Sequence, residues 1–262
     1  MSSFYELVAD GVWRSTVHTT GPWDASSQHG GPPSALLARA VERCEPRPEL
    51  MVARVTVEIL GPIPVDEVTV SARVVRPGRR IELIGAEMVG PSGRPCARAS
   101  AWRVLRAPDH VSVPDRRPAP LPLPSQRTAK DPSTAWGSAV DGYLSAVEWR
   151  GLSGSFAEPG PGVVWTRLRH TLVPDEQPSG LQRLLAVADS GSGISSELDL
   201  ATRYFINPEL TVHLHREPVG EWVCLDASTA ISPGGTGLAT TVLSDVDGPV
   251  GVGAQSLLVA DR

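Results

Sequence analysis

The chain has 262 residues, 41% of them hydrophobic, which is enough for one large domain or two small ones with a substantial core. A formal net charge of −5 and scattered arginines argue against a nucleic-acid-binding protein. Three widely spaced cysteines without a Cys-x-x-Cys pair predict neither a disulfide framework nor a zinc site. The N-terminus lacks a signal-peptide pattern and no stretch approaches about 18 apolar residues, so we expect a soluble, cytoplasmic protein without membrane insertion.

The first part of the chain predicts a strand, a helix and four further strands. Residues 11–19 have a strand pattern, and residues 32–44 carry apolar side chains at helical spacing behind two prolines that suit a helix start. Four segments rich in Val, Ile and Thr and bounded by Gly or Pro follow, which is typical of antiparallel strands. They cover residues 51–60, 67–76, 80–89 and 96–106.

A proline-rich segment separates this unit from a second one. Seven prolines between residues 107 and 132 predict an extended, semi-rigid connector with no core of its own. Beyond it the pattern predicts a strand, a helix and four strands again, at residues 163–173, 179–188, 210–214, 222–231, 237–244 and 250–260. We therefore expect an N-terminal unit at 1–106, a linker at 107–140 and a C-terminal unit at 141–262.

The two units are related by a nearly constant offset. Thr56 and Thr211 open similar segments 155 residues apart, the Ser92-Gly93 turn recurs 155 residues later as Asp247-Gly248, and the two Pro-Gly turns are 156 residues apart. This tandem duplication predicts an α+β fold in which each sheet wraps one helix and the two sheets join edge to edge. The seam between such copies is a preferred place for a small-molecule pocket.

Three motifs point to a known family. His29-Gly30-Gly31 opens the first helix, VADSGSG at 187–193 closes the second, and GAQSLLV at 253–259 forms the last strand. With the twice-repeated helix and meander, this set resembles the double hotdog acyl-CoA thioesterases of the TesB type over nearly the whole chain, least in the linker. The resemblance implies a double hotdog fold, an acyl-CoA substrate hydrolysed to free fatty acid and CoA, and no cofactor. It also allows homo-oligomers formed through the hotdog sheets.

The resemblance also implies a catalytic set. In that family an Asp at the end of the second helix, a hydroxyl or amide residue before the next strand and a late Gln hold the hydrolytic water, and the matching positions are Asp189, Asn207 and Gln255. Asn207 departs from the Thr of the best-known members; an amide orients a water but has no hydroxyl proton to relay. The 155-residue offset places Val52 opposite Asn207 and Ser100 opposite Gln255, which predicts one water site per chain.

The residues alone also allow structural interpretations of these positions. Asp189 suits a polar helix end, Asn207 suits a turn before Pro208, and Gln255 faces either solvent or a pocket on an alternating strand. Gly30 and Gly31 let backbone N–H groups at a helix start approach a substrate carbonyl, or they form a tight turn. The resemblance assigns both glycines and His29 to substrate binding. We interpret His29 as a capping or packing residue rather than a base.

Two other functions remain open. A non-catalytic acyl-thioester-binding protein of the same fold is motivated by the Thr-to-Asn departure at residue 207. A hotdog hydratase or dehydratase needs a His and Asp pair on one hotdog helix, and none is evident between Gln182 and Gly193. His213 and His215 share one face of a predicted strand but lack an identifiable third ligand, so we expect no metal.

Overall fold

The computed structural model describes residues 2–107, 118–125, 141–198 and 202–261. The α-helices are α1 (Gly31–Arg43), α2 (Tyr143–Ala146), α3 (Gly180–Ala188) and α4 (Gly191–Ile194), and residues Val17–Thr19 form a 3-10 helix. The strands are β1 (Tyr5–Ala9), β2 (Val12–Ser15), β3 (Leu50–Ile59), β4 (Glu67–Arg76), β5 (Ile81–Val89), β6 (Pro95–Leu105), β7 (Val147–Ser155), β8 (Glu158–Leu168), β9 (Arg203–Ile206), β10 (Glu209–Leu214), β11 (Val223–Ile231), β12 (Thr236–Asp245) and β13 (Gly248–Asp261).

All these strands belong to one antiparallel sheet with a repeat symmetry. The order is β1-β2-β4-β5-β6-β3-β10-β13-β12-β11-β8-β7, with β9 paired to β13 off this path. Counted outward from the junction between β3 and β10, each half thus contributes six strands in the same order. At this seam Thr56 pairs with Thr211, and the Thr211 hydroxyl donates to the Thr56 hydroxyl at 3.1 Å. The residues that revealed the repeat therefore meet at its pseudo-twofold axis, which confirms the predicted edge-to-edge junction.

The predicted helices and most predicted strands lie within two residues of the observed ones. There are three kinds of exception. The strand predicted at 11–19 ends at Ser15 as β2, and Val17–Thr19 form a 3-10 helix instead. β8 begins and ends five residues before its predicted strand, and the apolar pattern did not predict β1, β7 and β9. β7 ends in a Gly- and Ser-rich sequence, and β9 has only four residues. Pairing to a neighbouring strand rather than intrinsic propensity explains such strands.

The two long helices pack antiparallel inside the sheet. At one end, a Cβ added to Gly31 would lie 2.1 Å from the Ala186 carbonyl oxygen, so the start of α1 contacts the end of α3. At the other end, Glu42 near the end of α1 accepts a hydrogen bond from Ser179, the N-cap of α3. The first eight residues of α1 are all buried, as expected for a helix that the sheet encloses.

Most of the predicted linker at 107–140 lies outside the described residues. Its described part, 118–125, has no regular structure and lies against the C-terminal half, where Trp165 Nε1 donates to the Pro122 carbonyl at 3.0 Å and Arg150 Nη1 to the Pro124 carbonyl at 2.9 Å. Among the described residues, the helices are too short or too polar to cross a bilayer.

Candidate active site

Asp189 lies at the inner end of the helix pair. It is the C-cap of α3, and its side chain is 7% exposed. A carboxylate at a helix C-terminus gains nothing from the helix dipole, so its charge depends on local hydrogen-bond donors. Those donors come from two distant segments, β13 and the connection between β9 and β10.

Gln255 on β13 fixes one side of this carboxylate. It is 1% exposed, so the side chain faces the interior rather than solvent. Its Nε2 donates to Asp189 Oδ1 at 3.2 Å and to the Asp189 carbonyl at 3.1 Å, while its Oε1 accepts the Ser192 N–H at 3.1 Å. One amide therefore joins the end of α3, the start of α4 and the Asp189 side chain, and the polar groups that it buries are satisfied.

Asn207 holds the same carboxylate oxygen from the seam. Its Nδ2 donates to Asp189 Oδ1 at 2.7 Å and makes a longer contact of 3.3 Å to the Glu209 carbonyl. The following Pro208 carbonyl accepts the Ile59 N–H at 2.8 Å, which fixes this strand entry against β3. The structure thus brings together the three residues that the sequence singled out, with both amides directed at Asp189 Oδ1.

Residues from the start of α1 surround the other oxygen, Oδ2. His29 Nδ1 lies 3.5 Å away, and a Cβ added to Gly30 would lie only 2.6 Å from it. The lack of a side chain at Gly30 therefore permits the close approach of α1 to this carboxylate. Gly31 N–H donates to His29 Nδ1 at 3.0 Å, whereas Gly30 N–H has no acceptor among the residues described.

His29 is neutral near pH 7. Burial lowers the pKa of its imidazole, and the nearby Asp189 carboxylate only partly opposes this effect. Since Nδ1 accepts the Gly31 N–H, the proton of the neutral ring lies on Nε2. The 3.5 Å approach of Nδ1 to Asp189 Oδ2 is therefore neither an ion pair nor a hydrogen bond at that pH.

Tyr143 completes the site, and the sequence patterns did not single it out. Its ring stacks on the His29 ring with centroids 3.7 Å apart, and its fully buried hydroxyl donates to the Ala186 carbonyl at 2.9 Å. The same hydroxyl lies 2.9 Å from Ser190 Oγ. A tyrosine in a four-residue helix beside the predicted linker has no periodicity to mark it; only the fold brings it to His29.

The geometry also bears on the other functions considered. His29 and Asp189 approach each other from different helices, and without a hydrogen bond they do not form the His and Asp pair expected on one helix of a hydratase. Within the described ranges, no group of three His, Cys, Asp or Glu side chains is arranged to hold a metal ion.

Solved structures share this architecture. A proposed thioesterase II from Thermobifida fusca YX superposes with a TM-score of 0.73 at 17% identity, covering 98% of this chain and 95% of that one. A hot dog fold protein of unknown function from Alicyclobacillus acidocaldarius gives 0.70 at 14% identity, with 96% and 92% covered. Acyl-CoA thioesterase II TesB2 from Mycobacterium marinum gives 0.66 at 18% identity, with 98% and 95% covered. The fold is therefore an α+β double hotdog.

Sequence families define the chain more closely. The acyl-CoA thioesterase N-terminal domain matches residues 19–104, and the acyl-CoA thioesterase C-terminal domain matches residues 114–259. The chain belongs to the acyl-CoA thioesterase family. No curated protein matches it.

Proposed function

We propose that this protein hydrolyses fatty acyl-CoA to a free fatty acid and CoA, with Asp189 as the general base. The observation that carries the proposal is the unequal environment of the two carboxylate oxygens. Oδ1 accepts hydrogen bonds from Asn207 and Gln255, whereas Oδ2 has no hydrogen-bond donor among the described residues. A fixed carboxylate with one free oxygen is suited to accept a proton from a water molecule.

Asn207 and Asp189 together have the acceptors that such a water needs. Since Nδ2 of Asn207 donates to Asp189, its Oδ1 remains to accept one water proton while Asp189 Oδ2 accepts the other. The water oxygen then attacks the thioester carbonyl carbon, and its proton passes to Asp189. Collapse of the tetrahedral intermediate breaks the carbon–sulfur bond, and the CoA thiolate leaves and takes up the proton. Gln255 acts as a positioning residue that holds Asp189.

Gly30 is the better candidate to stabilise the oxyanion. The Gly31 N–H is engaged by His29 Nδ1, whereas the Gly30 N–H is open at the start of α1, where the helix dipole favours negative charge. In this proposal His29 and Gly31 set the backbone turn that presents Gly30. The sequence-based assignment of all three residues to substrate binding is thereby refined to one donor and two supporting residues.

The test is hydrolysis of an acyl-CoA series from C4 to C18, followed as release of free thiol. We expect turnover that raises free thiol and fatty acid in equal amounts. Acyl-CoA binding in calorimetry without thiol release would instead establish the non-catalytic acyl-thioester-binding alternative. Hydration of an enoyl-CoA without thiol release would favour a hydratase.

The proposal also includes the cellular location and the oligomeric state of the protein. Cys44, Cys96 and Cys224 are free thiols, which fits a cytoplasmic location. Homo-oligomerisation through the hotdog sheets remains a prediction, and sedimentation velocity on the full chain tests it.

A further inference from the structure

Tyr143 contacts both parts of the candidate active site. Its ring stacks on the His29 ring with centroids 3.7 Å apart and an angle of 7° between the ring planes. Its hydroxyl donates to the Ala186 carbonyl near the end of α3 and lies 2.9 Å from Ser190 Oγ. Ser190 follows Asp189 directly in the chain. One side chain therefore joins the turn before α1 to the segment that carries the carboxylate.

The backbone places the two stacked residues side by side. Consecutive carbonyls at the end of the 3-10 helix accept their amides, since His29 N–H donates to the Thr19 carbonyl at 2.8 Å and Tyr143 N–H donates to the Thr20 carbonyl at 3.0 Å. A Cβ added to Gly142, where φ is 151°, would lie 2.8 Å from the same Thr20 oxygen. Glycine at this position therefore permits the approach that brings Tyr143 to His29.

Tyr143 is itself held in place. It is fully buried, and its ring also contacts the Trp149 ring edge-on with centroids 6.1 Å apart. Trp149 is fixed in turn, because its Nε1 donates to the Leu144 carbonyl at 2.8 Å. Burial raises the pKa of Tyr143, the Ser190 hydrogen bond partly opposes this, and the Asp189 charge adds to it. The side chain is therefore a neutral donor with a ring of fixed orientation.

The orientation of the His29 ring affects both catalytic groups proposed above. Nδ1 accepts the Gly31 N–H at 3.0 Å, and this bond shapes the turn that presents the Gly30 N–H. A ring that turned away would release the Gly31 N–H and could direct a ring N–H at Asp189 Oδ2, which lies 3.5 Å from Nδ1. The parallel stack on Tyr143 fixes the plane of the imidazole, and within that plane the Gly31 hydrogen bond selects the position of Nδ1.

Protonation of His29 would disturb the same contacts. An imidazolium carries a proton on both nitrogens, so Nδ1 would lose the Gly31 N–H and donate to Asp189 Oδ2 instead. Two titratable groups face His29, the Asp189 carboxylate at the end of α3 and Tyr143 from α2. Burial disfavours the imidazolium, whereas the Asp189 charge favours it. The His29 side chain is 13% exposed, and the Tyr143 ring covers one of its faces.

We propose that Tyr143 is a positioning residue of the thioester reaction, because its ring holds the His29 imidazole in the orientation that the active site needs. In that orientation Nδ1 accepts the Gly31 N–H and leaves Asp189 Oδ2 free. The proposal rests on the function proposed for Asp189. Tyr143 acts through His29 and does not touch the reacting atoms. Loss of its ring therefore impairs the chemical step, and activity on the acid side is lost at a higher pH.

The test compares Tyr143→Leu with Tyr143→Phe in the thiol-release assay between about pH 5 and pH 9. Leucine removes the stacked ring, so kcat should fall at least tenfold with KM within about threefold, and the midpoint of the acid limb should rise by at least about 0.5 pH unit. Phenylalanine restores the ring without the hydroxyl and should rescue kcat to within about threefold, with the wild-type pH profile. Trp13→Leu is the matched control, because it removes a buried ring that packs against Arg39 and should keep the wild-type kcat.

A double-mutant cycle tests whether Tyr143 acts through His29. Once His29→Ala has removed the imidazole, adding Tyr143→Leu should lower kcat by less than about twofold further. A full tenfold loss in the His29→Ala background would overturn the proposal, as would an unmoved acid limb in Tyr143→Leu or a failure of Tyr143→Phe to rescue kcat. If melting curves show that Tyr143→Leu does not fold, Tyr143→Met takes its place, since a flexible thioether fills the core without a ring.

Nuclear magnetic resonance of the His29 ring nitrogens adds a readout that does not depend on turnover. In the wild type at pH 8 the proton should lie on Nε2, and His29→Gln assigns the signals among the six histidines. The titration of His29 should move to higher pH in Tyr143→Leu. A proton on Nδ1 in the wild type, or an unmoved titration in the variant, would overturn the proposal. If the wild type releases no thiol, the hydrolytic function fails, whereas this measurement still decides whether Tyr143 orients His29.

Discussion

Replacing Asp189 by Asn separates the chemistry of this carboxylate from its structural role. The Asn oxygen at the Oδ1 position retains the hydrogen bonds from Asn207 Nδ2 and Gln255 Nε2, at 2.7 and 3.2 Å. The new amide group at the Oδ2 position faces His29 Nδ1, an acceptor 3.5 Å from the present oxygen. The variant therefore keeps its partners and should fold, with a melting temperature close to that of the wild type.

The expected loss is confined to the chemical step. An amide does not accept the proton of the attacking water, and removal of a general base lowers the rate by about 10²–10⁴-fold. A hundredfold loss corresponds to about 3 kcal/mol in the barrier. Since Asp189 is bonded to protein groups and the acyl-CoA binding groups are unchanged, kcat should fall by this amount while KM stays within about threefold.

The assay is thiol release from a fatty acyl-CoA with enzyme in the linear range. Asp226→Asn is the matched control, because it removes the same charge from an exposed position on β11 and should leave kcat unchanged. If Asp189→Asn turns over within threefold of the wild type, the role of Asp189 as the base is refuted. If KM rises with kcat unchanged, the carboxylate contributes to binding rather than to chemistry.

Three further predictions concern the framework of the site. Gly31→Ala places Cβ 2.1 Å from a backbone oxygen and should lower the free energy of unfolding by about 1–3 kcal/mol in denaturant titrations. In Gly30→Ala the three atoms nearest to the new Cβ belong to the Asp189 side chain, so the substitution should displace this carboxylate and lower kcat more than stability; equal stability losses would contradict this. Burial lowers the pKa of His29, so the imidazole of the unfolded chain is protonated before that of the folded chain as the pH falls below about 6.5. The stability advantage of the wild type over His29→Gln should therefore shrink between about pH 7 and pH 5. An advantage that grows over this range would contradict the lowered pKa. Arg103 is buried with Glu82 and donates to the Cys44 and Glu45 carbonyls after α1. Arg103→Met should therefore lower the free energy of unfolding by about 3–5 kcal/mol, measured in thermal or denaturant unfolding. A change below about 1 kcal/mol would show that the ion pair is dispensable.

Local patterns were sufficient for most of the fold. Helix α1 and strands β3 to β6 have strong periodicity and clear Gly or Pro boundaries, so their observed ends fall within two residues of prediction. The duplication added long-range information, since it predicted that two similar sheets meet at a seam. Strands β1, β7 and β9 lack such patterns and form through pairing to a neighbour.

The candidate site likewise has residues that the sequence singled out and contacts that only the structure revealed. The family motifs singled out Asp189, Asn207, Gln255 and the turn at His29 to Gly31 through the resemblance, whereas the residues alone also allowed structural interpretations of these positions. They did not identify Tyr143 or the shared acceptor Asp189 Oδ1. Those features depend on contacts between residues that are far apart in the chain.

The sequence by itself determined the two-unit α+β plan, the internal repeat and the residue types available for chemistry, because periodicity, turn residues and repeat spacing are properties of short segments and of their order. Only the tertiary structure decided that Gln255 faces inward, that His29 is largely enclosed and neutral, and that Glu42 bonds to the first turn of α3 at the other end of the helix pair. Burial, hydrogen-bond partners and charge balance arise when distant segments meet, and no local pattern encodes them.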